Sequence, residues 1–196
     1  MRKHYQKIFA FFFAISSLVL ILTGCSKKEN SSNKNSIVTS TNVYADIAQN
    51  VLGKYGKATA IITNSATDPH DFEPTTADAK KVQNAKIVVA NGLGYDSWLP
   101  KLAKSTNKSA VLVGEDLMNL KNGANPHIWF DLNMPKKYVN YLVERLSKID
   151  KKHAAYYKEN GKNILQKSIR YKKLQILLMV QNKSQYMSAS QCLTMP

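Results

Sequence analysis

A chain of 196 residues with 28 basic against 13 acidic side chains carries a formal charge of +15. That balance first points to nucleic acid or an anionic surface, but the lysines are scattered, with no nucleic-acid motif and no basic-aromatic stripe, so nucleic acid is excluded as a partner. The length suits one domain or one and a half, and the two cysteines, Cys25 and Cys192, lie in contexts too different for a disulfide.

The first residues concern targeting. Arg2, Lys3, His4 and Lys7 make a basic start, and an apolar run from Ile8 to Leu22 follows. That pattern reads as a signal peptide rather than a membrane-spanning helix. It ends in Leu22-Thr23-Gly24-Cys25, which resembles a bacterial lipobox. The resemblance implies a signal peptide over residues 1–24, with Cys25 as the first mature residue and the carrier of a lipid. The expected location is the extracytoplasmic face of the cell membrane, with the lipid as the anchor. Residues 25–36 are polar and are read as a flexible tether.

Residues 37–132 read as one α/β lobe. Ile37 to Ser40 is a short strand that enters a helix at Thr41 or Asn42. Val43, Ile47, Val51 and Leu52 then recur at helical spacing until Gly53 stops the run. Ala58 to Ile62 is a second strand, followed by a loop from Asn64 to Pro74. Thr76 is the expected cap of a helix carrying Ala77, Ala79, Val82 and Ala85. Ile87 to Ala90 is a wholly apolar strand, of the kind covered on both faces in parallel sheets. Asn91-Gly92-Leu93-Gly94 turns the chain into a helix around Trp98, Leu99 and Leu102, and Ala110 to Val113 is a fourth strand. Alternation of this kind predicts an α/β fold with a mostly parallel sheet flanked by helices. Tyr95 and Trp98 are read as core residues.

Two turns stand out for their chemistry. Asp68-Pro69-His70 and Asn125-Pro126-His127 each place an imidazole directly after a proline, which restricts the backbone before it. A neutral imidazole is a versatile metal ligand. In parallel α/β sheets, ligands gather in loops at the carboxyl ends of strands, and both turns follow strands. His70 and His127 are therefore the candidate metal ligands. Asp71 and Glu73 could be further ligands, but the favoured reading is that they support the imidazoles from behind or stabilise the loop, and Asp131 is similar, as a turn or helix-start residue. The Gly92–Gly94 pair lacks the third glycine of a dinucleotide fingerprint and reads as turn chemistry. Residues 133–162 read as helices. Tyr138, Leu142, Leu146 and Ile149 form one stripe, Asn133 is the expected cap, and a second helix starts at Asp150. His153 is expected to be a solvated surface histidine.

Asp68 to Pro74, Asn91 to Gly94 and Pro126-His127-Ile128-Trp129, in this order, resemble the metal-binding lipoproteins of bacterial zinc and manganese ABC transporters. The likeness spans Ile37 to about Gly161, and the lipobox fits it independently. It implies two α/β lobes joined by a long rigid helix, with one Mn²⁺ or Zn²⁺ ion carried between them as transported ligand. The first lobe contributes two histidines, matching His70 and His127. The second contributes a histidine or glutamate and a fourth ligand, usually aspartate. The implied partner is the ABC permease of a metal importer, with a monomeric receptor and no enzymatic activity; family members are sometimes described as adhesins.

Past Gly161 the chain departs from that pattern, since no Asp or Glu occurs beyond Glu159. Residues 163–196 are basic, with an apolar patch at Leu174 to Val180, and are too few for a second lobe. The expectation is a first lobe plus the start of the inter-lobe helix, with the second lobe missing. A shifted reading frame over Ser184 to Pro196 is the suggested origin, because permitted codons read two bases later can spell Pro-Val-Tyr-Val-Ser-Glu-Pro-Val-Phe-Asp-Tyr-Ala; early stops in that frame of the gene would sink the idea. Two other readings compete with the receptor. A secreted zinc-dependent hydrolase would use His70 and His127 with a carboxylate, but it lacks an H-E-x-x-H or comparable cluster. A non-functional truncated product is the third.

Overall fold

The structure, a computed structural model, describes residues 35–170. The expected signal peptide, Cys25 and the tail from Tyr171 to Pro196, with its apolar patch, lie outside the described residues.

Four strands form one all-parallel sheet in the order β2-β1-β3-β4: β1 (Asn35–Thr41), β2 (Gly56–Ile62), β3 (Ile87–Ala90) and β4 (Ala110–Leu112). Helices α1 (Asn42–Leu52), α2 (Thr76–Asn84), α3 (Trp98–Ser105) and α4 (Met134–Ile149) flank it, and a fifth, α5, begins at residue 154 and is described to 170. The expected α/β lobe is borne out. Strand side chains alternate between faces, and the core divides accordingly. Ile37, Ile87 and Val89 pack with α1, α4 and Tyr157 on one face, while Val38, Val88 and Ala90 pack with α2 and α3 on the other. This is why β3 carries no polar residue: all four of its side chains are buried.

Several local expectations change. In α1 the buried stripe is Tyr44, Ala48, Val51 and Leu52, and Val43 is 40% exposed. The cap of α2 is Thr75 rather than Thr76. Its hydroxyl accepts the Asp78 N–H while the Asp78 carboxylate accepts the Thr75 N–H, a reciprocal pair that fixes the first turn. β4 stops at Leu112, and Val113–Leu117 forms a π turn instead. Asn133 occupies the cap position of α4 but makes no side-chain cap bond, and Ile149 leaves the buried stripe, being 36% exposed. Gly161 is buried inside α5, where it does not end the helix. A Cβ there would lie 2.6 Å from Val143 Cγ2, so glycine lets α5 approach α4 closely.

His153 is also not a solvated surface residue. Its ring stacks on Tyr55 with centroids 3.6 Å apart, and its Nδ1 lies 2.8 Å from Asp150 Oδ2. The same oxygen accepts the Tyr157 hydroxyl (2.7 Å) and Asn35 Nδ2 (3.0 Å). That network explains why β1 starts at a buried asparagine within the polar segment, since the Asn35 amide has partners on the far side of the fold.

Burial alone would raise the Asp150 carboxyl pKa, but the hydrogen bonds from Tyr157 and His153 outweigh it and hold the group below the usual carboxylate range. The folded carboxyl thus gives up its proton more readily than the unfolded one, whose pKa is about 3.9. Its stabilisation is complete above about pH 4 and is lost as pH falls through the depressed folded value. Asp150→Ala is expected to cost about 2 kcal/mol at pH 7, with the gap from wild type narrowing below about pH 3. Urea midpoints at the two pH values check this; a gap that ignores pH would contradict it.

Candidate metal centre

The two histidine turns leave opposite edges of the sheet, one after β2 and the other after β4. They share one local construction. The His70 N–H donates to Asp68 Oδ1 at 2.9 Å, and the His127 N–H donates to Asn125 Oδ1 at 3.0 Å. In each, an Asp or Asn two residues ahead closes an Asx turn and the intervening proline restricts the backbone. Both histidines are exposed. His127 Nδ1 also lies 2.7 Å from the Asn125 amide oxygen. An amide oxygen only accepts, so Nδ1 carries the proton and Nε2 keeps its lone pair for a metal.

The segment after β3 lies between the two turns. Tyr95 is half-buried, its ring centroid 5.1 Å from that of His70 and 6.4 Å from that of His127. Trp129 completes the group, at 5.3 Å from Tyr95 and 5.2 Å from His127. Trp98 Nε1 donates to the Pro69 carbonyl (3.1 Å), and Asn91 Nδ2 donates to the Pro126 carbonyl (3.1 Å). Beneath them, the buried Asp96 carboxylate accepts the N–H groups of Asn91 (2.6 Å) and Gly92 (3.0 Å). Burial pushes its pKa up, and the Ser40 hydroxyl together with backbone amides, those of Asn91 and Gly92 among them, pulls it part of the way back. Burial, then the charges of Asp96 and Asp68, likewise raises the Tyr95 phenol. A cavity of about 250 Å³ opens beside this group, lined by Thr41, Asn42, Thr63, Pro69, Tyr95 and Trp129 among others.

Tyr95 was expected in the core, and the structure places it against both imidazoles instead. Trp98 is buried as expected, yet its indole N–H also holds the His70 turn. Asp71 and Glu73 are exposed, and among the described residues neither carboxylate is hydrogen-bonded to an imidazole. Asp131 accepts the Asn133 N–H through Oδ1 (2.7 Å) at the entry to α4. Among the described residues, no three His, Cys, Asp or Glu side chains converge as a metal-holding group. Two imidazoles are what the described residues offer.

The family model described as ZnuA, zinc-uptake complex component A, periplasmic, matches residues 37–173. The chain belongs to this family. The ZnuA match runs past Gly161, where the resemblance was expected to end, in keeping with a helix that continues through that glycine. Similar proteins include the manganese-binding lipoprotein MntA of Halalkalibacterium halodurans, 30% identical over 170 residues that cover 82% of this chain and 56% of MntA. The metal ABC transporter substrate-binding lipoprotein SloC of Streptococcus mutans is 29% identical over 157 residues, or 72% of this chain and 51% of SloC. The solved structure of the metal-dependent lipoprotein YcdH from Bacillus subtilis superposes with a TM-score of 0.62 at 27% identity, over 72% of this chain and 54% of YcdH. This ZnuA-family chain therefore spans about half the length of the relatives it matches.

Asn125, Asp68, Asn91, Tyr95 and Asp96 were missed as neighbours or braces of the two histidine turns. Asp68 and Asn125 were within reach, because Asp/Asn-Pro-His occurs twice and an Asx residue two positions ahead of an amide is a known turn former. Asn91 opens one of the segments that carried the resemblance but was read only as turn chemistry, while Tyr95 and Asp96 had no comparable signal.

Proposed function

We propose that this chain is the first lobe of an extracytoplasmic substrate-binding lipoprotein of a manganese or zinc ABC importer. His70 and His127 capture the divalent ion, which passes to a membrane permease. Cys25 carries the lipid that tethers the lobe, and the protein is a monomeric binding component with no catalytic step of its own. The observation that carries this reading is the pair of matching Asx-Pro-His turns meeting at one tyrosine above the carboxyl ends of a parallel sheet. Family membership and the names of the relatives, which are metal-binding or substrate-binding lipoproteins, support it. Among the described residues no helix is long and apolar enough to cross a membrane.

Two neutral imidazoles make a half-site. Nitrogen donors favour Zn²⁺ over Mn²⁺ in the usual affinity order of divalent ions, and carboxylates from a second lobe would add the charge and hard oxygen that suit Mn²⁺. Calorimetric titration of the full chain is expected to show weak binding, with Zn²⁺ ahead of Mn²⁺. His70→Ala and His127→Ala should each lower Zn²⁺ affinity by at least about tenfold. Tight, stoichiometric binding that survives both substitutions would sink the proposal.

A further inference from the structure

We infer that Tyr95 is a positioning residue whose ring sets the separation of the His70 and His127 imidazoles. The inference rests on the metal-capturing role proposed for those histidines. Their loops follow β2 and β4, which are the two edges of the sheet with β1 and β3 between them. Local Asx turns shape each loop but give neither any information about the other. The segment Asn91–Trp98 supplies it. Asn91 holds the carbonyl of Pro126, one residue before His127, and Trp98 holds the carbonyl of Pro69, one residue before His70. Tyr95 lies between these two anchors in sequence, and its ring centroid is 5.1 Å from that of His70, edge-on, and 6.4 Å from that of His127, tilted.

The segment is itself fixed. Asp96 takes the N–H groups of Asn91 and Gly92, and Glu115 Oε1 takes that of Leu93 at 2.8 Å. Gly92, Leu93 and Gly94 are all in the left-handed region, a backbone path that these carboxylates hold in place. A planar aromatic wedge on so constrained a turn can hold two imidazoles at one spacing before metal arrives, which reduces the ordering that binding requires. The ring does this work; the hydroxyl is not needed for it.

The test uses the full chain and two readouts, the metal-free imidazole proton resonances of His70 and His127, and Zn²⁺ titration. Tyr95→Ala is expected to shift both histidine signals and weaken Zn²⁺ binding about 10- to 100-fold, while Tyr95→Phe stays within about twofold of wild type because it keeps the ring. Trp98→Phe, which removes the donor to Pro69 together with part of a buried ring, should move the His70 signal and leave that of His127 in place. Equal loss of affinity in Tyr95→Phe and Tyr95→Ala would overturn the inference and mark the phenol oxygen as a metal ligand. Histidine signals unmoved in Tyr95→Ala would overturn it too. If both signals move but His127→Ala keeps wild-type Zn²⁺ affinity, positioning is supported and the metal reading fails.

Discussion

Replacing Tyr138 with alanine is expected to cost about 3–5 kcal/mol, as truncation of a buried large aromatic residue commonly does. Tyr138 is fully buried in α4, and its ring meets that of Tyr44 edge-on with centroids 5.5 Å apart. Its hydroxyl donates to the Tyr44 carbonyl at 3.2 Å. Burial pushes the phenol pKa far above its ordinary value, so the group stays neutral and acts only as packing volume and as a donor. The loss reaches the site, because the Tyr44 hydroxyl donates to Asn91 Oδ1 and Asn91 in turn holds Pro126. Typical domains are stable by only about 5–15 kcal/mol, so the variant should melt roughly 10 °C or more below wild type. Tyr138→Phe keeps the ring and loses one hydrogen bond, for about 1 kcal/mol. Urea unfolding followed by circular dichroism separates the two; an alanine variant within about 1 kcal/mol of wild type would contradict this account of the core.

Gly92→Ala is expected to disturb both stability and the histidine pair. Gly92 has φ +81°, where a side chain costs about 1–2 kcal/mol. A Cβ there would also overlap the Glu115 carboxylate. Glu115 must then swing away and release the Leu93 N–H, which adds about 1–3 kcal/mol for a part-buried donor left without its acceptor. The two effects share one partner, so they should not add. Glu115→Ala should cost less in the Gly92→Ala background than in wild type, with a coupling of about 1 kcal/mol or more. Because Tyr95 lies three residues on, Zn²⁺ affinity should fall alongside stability. A double-mutant cycle with strictly additive stabilities would show that Glu115 does not brace this turn.

The histidine turns were legible because each is a local device. Proline before histidine, and Asp or Asn before proline, act within four residues, and so does the close of α1 at Gly53. Strand β3 was legible from its run of four apolar residues, since a strand buried on both faces has no polar side to show. His153 was misread because Lys151 and Lys152 precede it, while the ring of Tyr55 that covers it comes from the other end of the lobe. Val43 was placed on the apolar stripe of α1 and Tyr44 was not, yet a helix buries whichever residue its phase turns inward, and that phase is set by the sheet beneath.

By itself, then, the sequence determined the alternation of strands and helices, the two Asx-Pro-His turns and the likeness that family membership bears out. Only the tertiary structure decided that Tyr95 lies between the imidazoles, with Trp98 and Asn91 holding the turns on either side. The physical reason is the strand order β2-β1-β3-β4. Parallel strands are joined by long crossovers, so residues far apart in the chain meet at the carboxyl edge according to that order, and no periodicity within any one segment encodes it.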